Sequence, residues 1–360
     1  MKRIWFFLIS ALLVFCAAGS RETVTSLDRA MVSAVGIDRS EEGLRVTLQI
    51  FRPEGAGTET RLDPAKANIF VISAEAATVG EAMSRCEDRL GEFLFIGHIQ
   101  LIAIGDGVDL SDAEHLLAYF IKSKESYLGA KFACTEDAAE LLETELTEGA
   151  VAAQSIVSII ERHEENSDTV SCDLLTAIGA AEGTTVIPRL RLTDAGEGEK
   201  AVSAAGAEVF VEGRRAFTLT AEDCRGLARL RRRTSQLTLS AEGRGGRAAV
   251  TLRDTGFRAE LDKAGDRLSC RFEAEAEIPN DQSIELLFDR GELIRSCEER
   301  LTELTEGIIR LCREHNADLI GLEQLVRSRC PQVWLDCGGD FRRILSLTDI
   351  TVDVKVEISG

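Results

Sequence analysis

At 360 residues the chain is about twice the length of an ordinary domain, so two or three folding units are expected. Hydrophobic residues are 44% and charged residues 29%, proportions that exclude both a disordered chain and a multispan membrane protein. Lys and Arg total 42 against 61 Asp and Glu, a formal charge of −19, and a surface of that sign repels nucleic-acid phosphates.

Lys2 and Arg3 precede an apolar run from Ile4 to Val14, and small residues follow at Cys16-Ala17-Ala18-Gly19-Ser20. A positive start, a short apolar stretch and a small-residue exit are the parts of a secretory signal, which assigns residues 1–20 to export. The run is too short to span a bilayer, which takes about 20 apolar residues. Two readings of its end stand side by side. Cys16 is the site of lipidation, although the bulky Phe15 precedes it, or the signal is cleaved after Ala18 or Gly19 with no lipid retained.

From Ala30 to Asp38 the chain reads as a strand, and Leu44, Val46, Leu48 and Ile50 alternate with Arg45, Thr47 and Gln49, as in a second strand with one wet face. Asp38 to Gly43 forms the hairpin connection, Pro53 to Ala67 reads as an exposed loop, and Ile69 to Ile72 resume a strand. Thr78-Val79-Gly80-Glu81 predicts a capping box for a helix with Val79, Met83, Cys86 and Leu90 on its apolar face and Gly91 as its stop. Phe93 to Ile104, apolar except at Gly97-His98 and Gln100, predicts one strand buried on both faces. Ser111-Asp112-Ala113-Glu114 predicts a second capping box, opening a helix through Phe120 and Ile121. A strand from Leu128 to Cys134, a short helix from Glu136 to Leu142, a helix lined by Val151, Ile156, Ile159 and Ile160, and a strand from Thr184 to Leu192 follow, with Pro188 pointing to a sheet edge.

The stretch Thr193 to Lys200 has no apolar pattern and is taken as the boundary between an N-terminal part, 21–195, and a C-terminal part, 201–360. Beyond it, Ala205 to Phe210 and Arg215 to Leu219 form a hairpin turned by Glu212-Gly213, and a helix starts near Ala221. Four strands are predicted next, at Gln236–Leu239, Arg247–Arg253, Gly256–Leu261 and Arg267–Ile278, the last with Glu273, Glu275 and Glu277 on its polar face. Ile294, Cys297, Leu301, Leu304, Ile308 and Leu311 then step by three and four, predicting a long helix that lays one stripe on the sheet. Ile350, Val352, Val354, Val356 and Ile358 alternate with polar residues in a final strand with one wet face. Strands and helices thus mix along both parts of the chain.

Catalytic signatures are missing from the sequence: it holds no G-x-S-x-G, P-loop, G-x-G-x-x-G or H-E-x-x-H. The 10 cysteines show no C-x-x-C spacing, and most fall on apolar faces as core thiols, with Cys330 and Cys337 the best disulfide candidates by loop position. Cys312 and His315 stand three apart without a second ligand pair, and His163 belongs to a charged helix end. His98, flanked by predicted buried strand, is the most suggestive histidine, read either as structural or as a pH-sensitive switch. Arg229 to Arg233, broken only by Leu230, is the strongest basic cluster and reads by default as a solvated helix end. No metal ligand or cofactor-binding residue is assigned. An extracytoplasmic hydrolase or small-ligand-binding protein using His98 or a free Cys is the competing class.

Seven fragments in order resemble the Ger(x)C family of spore germination proteins, the C components of nutrient germinant receptors. They are Met31-Val32-Ser33-Ala34-Val35-Gly36-Ile37-Asp38, the Phe95-Ile96-Gly97-His98 segment running to Ile104-Gly105, Phe120-Ile121-Lys122-Ser123-Lys124-Glu125, Ala205 to Phe210, Arg225-Gly226-Leu227, Asn316 to Gly321, and Pro331-Gln332-Val333-Trp334. Two departures stand out: the family's L-x-G-C-W-D is replaced by Gly19-Ser20-Arg21-Glu22 after the signal, and its G-F-G by Gly321-Leu322-Glu323. The resemblance implies an α+β fold of two to three mixed sheet-plus-helix domains, in agreement with the element order, and a non-enzymatic subunit on the outer face of the spore inner membrane. It implies membrane-spanning receptor subunits as partners and a membrane contact through an N-terminal lipid; no nucleic-acid partner is expected from the acidic charge.

Overall fold

The computed structural model describes residues 29–51, 69–144, 152–196, 199–231, 236–243, 246–265, 267–279 and 289–358. The signal at 1–20 with Cys16, and the expected loop Pro53 to Ala67, lie outside the described residues.

The first sheet grows from the predicted hairpin. Strands β1 (Arg29–Ser40) and β2 (Gly43–Phe51) pair antiparallel around a two-residue turn, with Ser40 opposite Gly43, and β3 (Ile69–Ala76) pairs with β2. Helix α1 (Val79–Leu90) starts where Thr78 accepts a bond from the Glu81 N–H at 3.2 Å and ends at Gly91, whose φ of 67° places it in the left-handed cap conformation. Val79, Met83 and Cys86 are buried as predicted. On the other side of β1 the chain runs parallel to it, first as β4 (Phe93–Phe95) and then as β5 (Leu101–Ile104), and β6 (Lys131–Cys134) continues the parallel order.

The expected single strand over Phe93 to Ile104 is thus two. Arg29 faces Phe93 and Ala34 faces Leu101, so three extra residues loop out between β4 and β5. The loop contains Gly97-His98, and His98 is exposed rather than buried. The second predicted capping box also resolves differently. Ser111 bonds to the Asp109 carboxylate instead of capping, and the helix divides into α2 (Ala113–Leu116) and α3 (Ala118–Lys122).

Both faces of this sheet are covered. One carries α1 and α6 (Leu174–Ile178) over Val35, Ile37, Leu48 and Ile102. The other carries α4 (Ala138–Glu143) and α5 (Ala152–Glu165) over Ala34, Leu101 and Ala103. Thr47 and Gln49, expected on a wet face, are therefore buried. Gln49 takes over the role of water there: its side-chain oxygen accepts from the Ala153 N–H at 3.1 Å, which serves an otherwise unpaired donor at the start of α5.

Beyond the first sheet, β7 (Thr184–Pro188), β10 (Ala207–Val211) and β11 (Arg214–Leu219) form a sheet in the order β11-β10-β7, with Pro188 on its edge strand as expected. Its hairpin turns at Glu212 and Gly213, both at positive φ (49° and 73°), the turn chemistry that suits a tight two-residue loop. The stretch 193–200 contributes to a small hairpin, β8 (Arg191–Gly196) with β9 (Glu199–Ser203).

Helix α7 (Ala221–Arg231) leads into the last sheet, β12 (Gln236–Gly243), β13 (Gly246–Ala264), β14 (Arg267–Ile278) and β15 (Thr348–Ile358). Two of the four predicted strands are one: β13 runs through Asp254 to Gly256 with a register shift, so an extra residue is absorbed as a bulge without ending the strand. The predicted long helix is α8 (Arg290–His315), started by Asp289 and ended by Asn316 in the left-handed conformation. Its buried stripe includes Leu293, Cys297, Leu301, Leu304, Ile308 and Cys312, and each buried Leu or Ile contributes roughly 1.5–3 kcal/mol. The stripe packs on Ala276, Ile278 and Val356 at one end and on Leu268, Cys270 and Phe272 at the other. Short helices α9 (Leu322–Arg329), α10 (Pro331–Asp336) and α11 (Phe341–Leu347) carry the chain back to β15, which joins β14 in parallel and alternates apolar-in and polar-out as predicted. Among the described residues no helix is long and apolar enough to cross a membrane.

Candidate functional site

The fragments singled out in the sequence converge on joints between elements. Asp38, at the end of β1, is 5% exposed, and its carboxylate accepts from the Ala138 and Ala139 N–H groups at 2.8 and 3.0 Å. It thereby caps α4 from a distant strand, together with the local N-cap Asp137, while Arg45 reaches both carboxylates at 3.4 and 2.8 Å. Burial is the main influence on Asp38 and raises its pKa above the ordinary 3.8; the bond from Ala138 opposes this and the neighbouring Asp137 charge reinforces it. Two glycines make room. A Cβ on Gly36 would meet Ala138 at 3.1 Å, and one on Gly105 would lie 2.0 Å from Asp38 Oδ1. Gly36, Asp38 and Gly105, drawn from two separate motifs, therefore form one device that seats α4 on the sheet.

A second joint ties the first sheet to the next. Glu208, 2% exposed on β10, accepts from Arg189 Nη1 at 2.7 Å and Thr218 Oγ1 at 3.0 Å. Arg189 also grips Asp106, in the loop after β5, through both terminal nitrogens at 3.1 and 3.0 Å, and Arg215 reaches Asp106 at 2.8 Å and Glu208 at 3.7 Å. Two guanidinium groups and two carboxylates balance here, the condition for keeping Glu208 buried. Close beside them the Leu110 N–H donates to the Gly213 carbonyl at 2.6 Å, where a Cβ on Gly213 would sit 2.3 Å from the Leu110 backbone. Sequence reading missed Asp38 as a cap and this cluster altogether. The available signal was an acidic residue, Glu208, inside an apolar strand.

The remaining motifs resolve in the same way. Arg225 holds Asp168 at 2.6 Å, and Gly226 lets α7 cross α8 so closely that a Cβ would lie 2.5 Å from the Leu304 carbonyl. Asp318, whose pKa is raised by burial, caps α9 through the Leu322 and Glu323 N–H groups, both at 2.9 Å. Pro331 opens α10, and the Arg327 guanidinium lies over the Trp334 ring, 5.1 Å from the Trp334 centroid.

The predicted chemistry-bearing residues do not gather. His98 sits in its exposed turn with its ring edge against Phe95, centroids 5.5 Å apart. Phe95 in turn lies beneath the Arg29 guanidinium, Arg29 pairs with Glu125 at 3.1 Å, and a Cβ on Gly97 would strike the Phe95 ring at 2.7 Å. His163 is partly buried and 3.6 Å from Asp168. His315 stacks on Phe217 at 3.9 Å, and Cys312 is buried. Arg229 corrects the expected solvated cluster: it is buried and donates to the Glu275 carbonyl at 3.0 Å, and Arg231 donates to that of Leu319 at 2.7 Å. Arg232 and Arg233 lie outside the described residues.

The nine described cysteines are free thiols. Cys330 and Cys337, the expected disulfide candidates, flank α10, and seven helical steps of about 1.5 Å put them beyond disulfide reach. Burial pushes Cys134, Cys224, Cys270 and Cys312 up to about 12 and Cys86 and Cys297 to about 11, which keeps these sulfurs protonated and poor as nucleophiles. Among the described residues no group of three or more His, Cys, Asp or Glu is placed to hold a metal ion. A groove of about 640 Å³ beside α8 is lined by alternating acids and bases such as Arg247, Arg295, Glu299 and Glu303.

Two family models match this chain in tandem: the spore germination protein N-terminal domain over residues 26–192, and the spore germination B3/GerAC-like C-terminal domain over 205–360. Among solved structures it is similar to the GerBC protein, with a TM-score of 0.58 at 13% identity over 91% of this chain and 97% of that one, a likeness of fold. No curated protein sequence matches it.

Proposed function

This chain belongs to the GerAC-like family of spore germination proteins, and from that premise we propose that it is a non-enzymatic, extracytoplasmic subunit of a spore nutrient germinant receptor. It works by shape, holding or transmitting a conformational state for membrane-spanning subunits on the outer face of the spore inner membrane. The observation that carries this reading is where the motif residues lie. Gly36, Asp38, Gly105, Glu208 and Gly226 sit at packed joints between elements rather than converging on a cleft. Joints of this kind fix neighbouring elements against one another, as a scaffold requires.

Partners have surface to use. The face of the last sheet opposite α8 carries rows of exposed charge, with Arg271 beside Thr351 and Glu275 beside Lys355, and β15 is an edge strand. The hydrolase alternative finds less support, since His98 lies in an exposed turn against an aromatic ring and the thiols with shifted pKa are buried and protonated. Co-purification of the tagged, full chain from spore membranes tests the proposal. Membrane-spanning subunits retained with it are the expected result, and a solitary monomer under mild solubilisation would refute it.

A further inference from the structure

Strands β1, β4 and β6 run parallel, so their N-terminal ends lie at one end of the first sheet, and antiparallel β2 finishes there with Phe51 opposite Met31. Exposed large apolar side chains collect at this end. Phe93 (63% exposed) opens β4 beside Arg29; Tyr127 (59%) and Leu128 lie in the loop before β6; Leu175 (60%) donates its N–H to the Leu128 carbonyl at 3.1 Å. Ile121 stands four residues before Glu125, which is tied to Arg29, and Phe51 completes the set. Among the described residues, Leu335 is the one large exposed apolar side chain that lies elsewhere. Isolated exposed apolar residues are ordinary, but such segregation to one end marks a contact surface.

Two further observations identify the occupant. The chain enters the fold at Arg29, at this same end, and Cys16, the lipidation site in one of the two readings of the signal, stands only 13 residues before it. The Ile121–Leu128 segment also carries positive charge on an acidic chain: Lys122 and Lys124 are exposed, Glu125 is held by Arg29, Glu161 and Glu164 lie 4.0 and 3.9 Å from Lys131, and Asp173 accepts from the Thr176 N–H. Exposed aromatic and aliphatic side chains interleaved with lysines, beside the point where the N-terminal tether enters the fold, suit the interface of an anionic bilayer. There rings and aliphatic stems sit at headgroup depth and ammonium groups meet lipid phosphates. The net charge of −19 does not forbid this approach, because acidic groups more than about 8–10 Å from the surface are screened at physiological salt.

We propose that this end of the first sheet, with Phe93, Ile121, Tyr127, Leu128 and Leu175 at its tip, docks directly onto an anionic phospholipid surface and sets the orientation of the protein on the membrane. The inference builds on the receptor-subunit reading but is tested apart from it. The full chain is reconstituted into vesicles of phosphatidylglycerol and phosphatidylcholine with the photoreactive residue p-benzoyl-phenylalanine in place of Tyr127, and in a second preparation in place of Asp353 on β15. Illumination should attach phospholipid at position 127 and not at 353. Lys122→Glu combined with Lys124→Glu should lower the lipid adduct several-fold on phosphatidylglycerol and leave it unchanged on phosphatidylcholine alone. No lipid adduct at 127, equal adducts at both positions, or a chain that stays off the vesicles would overturn the proposal. So would an adduct at 127 that shifts wholly to protein once membrane-spanning subunits are co-reconstituted. Lipid attachment at 127 without subunit co-purification would sink the receptor reading and leave this one standing.

Discussion

Gly105 and Asp38 offer a sharp test of how the motif residues act. Asp38 accepts two backbone N–H bonds at the start of α4, and hydrogen bonds to a charged group contribute about 1.5–3 kcal/mol each. The desolvation of a buried carboxylate offsets part of that gain, so Asp38→Ala should destabilise by about 2–4 kcal/mol. Gly105→Ala should cost a similar amount by a different route. Its φ lies outside the left-handed region, so the backbone accepts alanine, but the new Cβ would fall 2.0 Å from Asp38 Oδ1 and push the cap off the helix. Outside Asp38 the nearest atom is the Glu136 carbonyl oxygen at 3.5 Å, which is ordinary packing. Once Asp38 is alanine, Gly105→Ala should therefore be nearly neutral, and the double variant should match one single variant instead of their sum. With a urea slope of about 2 kcal/mol per molar, each single substitution moves the unfolding midpoint by about 1–2 M, read by circular dichroism. Additive losses in the double variant would refute the account.

Other expectations follow from the buried charges and thiols. Arg189→Ala leaves Glu208 buried with Arg215 3.7 Å away, and should cost about 3–5 kcal/mol, a fall of roughly 10 °C in melting temperature; Glu208→Gln should cost less, and equal losses would contradict the pairing. In the folded protein near neutral pH, a thiol reagent mapped by mass spectrometry should modify the partly exposed Cys330 first among the described cysteines. Cys86, Cys134, Cys224, Cys270, Cys297 and Cys312 should react only on unfolding, and rapid modification of any of them would refute their assignment as core thiols. Because the folded pKa of Asp38 is raised above 3.8, the proton-linked part of its contribution is full below about 3.8 and is lost as pH rises through the folded value, while the cap itself persists. The stability of the wild type relative to Asp38→Asn should thus decline with pH across that window; a rise, measured from paired urea midpoints, would reverse the sign.

Periodicity carried most of the architecture. The hairpin at 38–43, α1 with its Thr78 and Gly91 ends, the stripe of α8 and the alternation of β15 all follow from local pattern, because each buries one face against a single partner. The misreadings share a cause, since they depend on what covers an element from elsewhere. Gln49 looks wet until α5 arrives 104 residues later to use its oxygen. Phe93 to Ile104 looks continuous because its pairing offset against β1 is invisible in a run of apolar residues. Arg229 reads as a solvated charge because its acceptor, the Glu275 carbonyl, is a backbone atom 46 residues away. The candidate surface was equally hidden, since Phe93, Tyr127 and Leu175 come from separate segments that the parallel strand order brings to one end.

The division between joint and surface bears on what the family motifs can say. A glycine that a Cβ would drive into Leu304, or a carboxylate that holds two amides of a distant helix, is constrained by packing whatever the protein binds. Motifs of this kind identify the fold and leave the ligand unnamed. Information about partners has to sit where packing imposes nothing: on exposed positions such as Phe93, Tyr127, Lys122 and Lys124, and on the open face of the last sheet. A receptor subunit that works as a scaffold can keep its joints fixed while these surfaces change with the membrane and the partners it meets. Substitutions at the joints should then act through stability, and substitutions at the exposed tip should alter membrane contact while leaving the unfolding free energy within about 0.5 kcal/mol of the wild type.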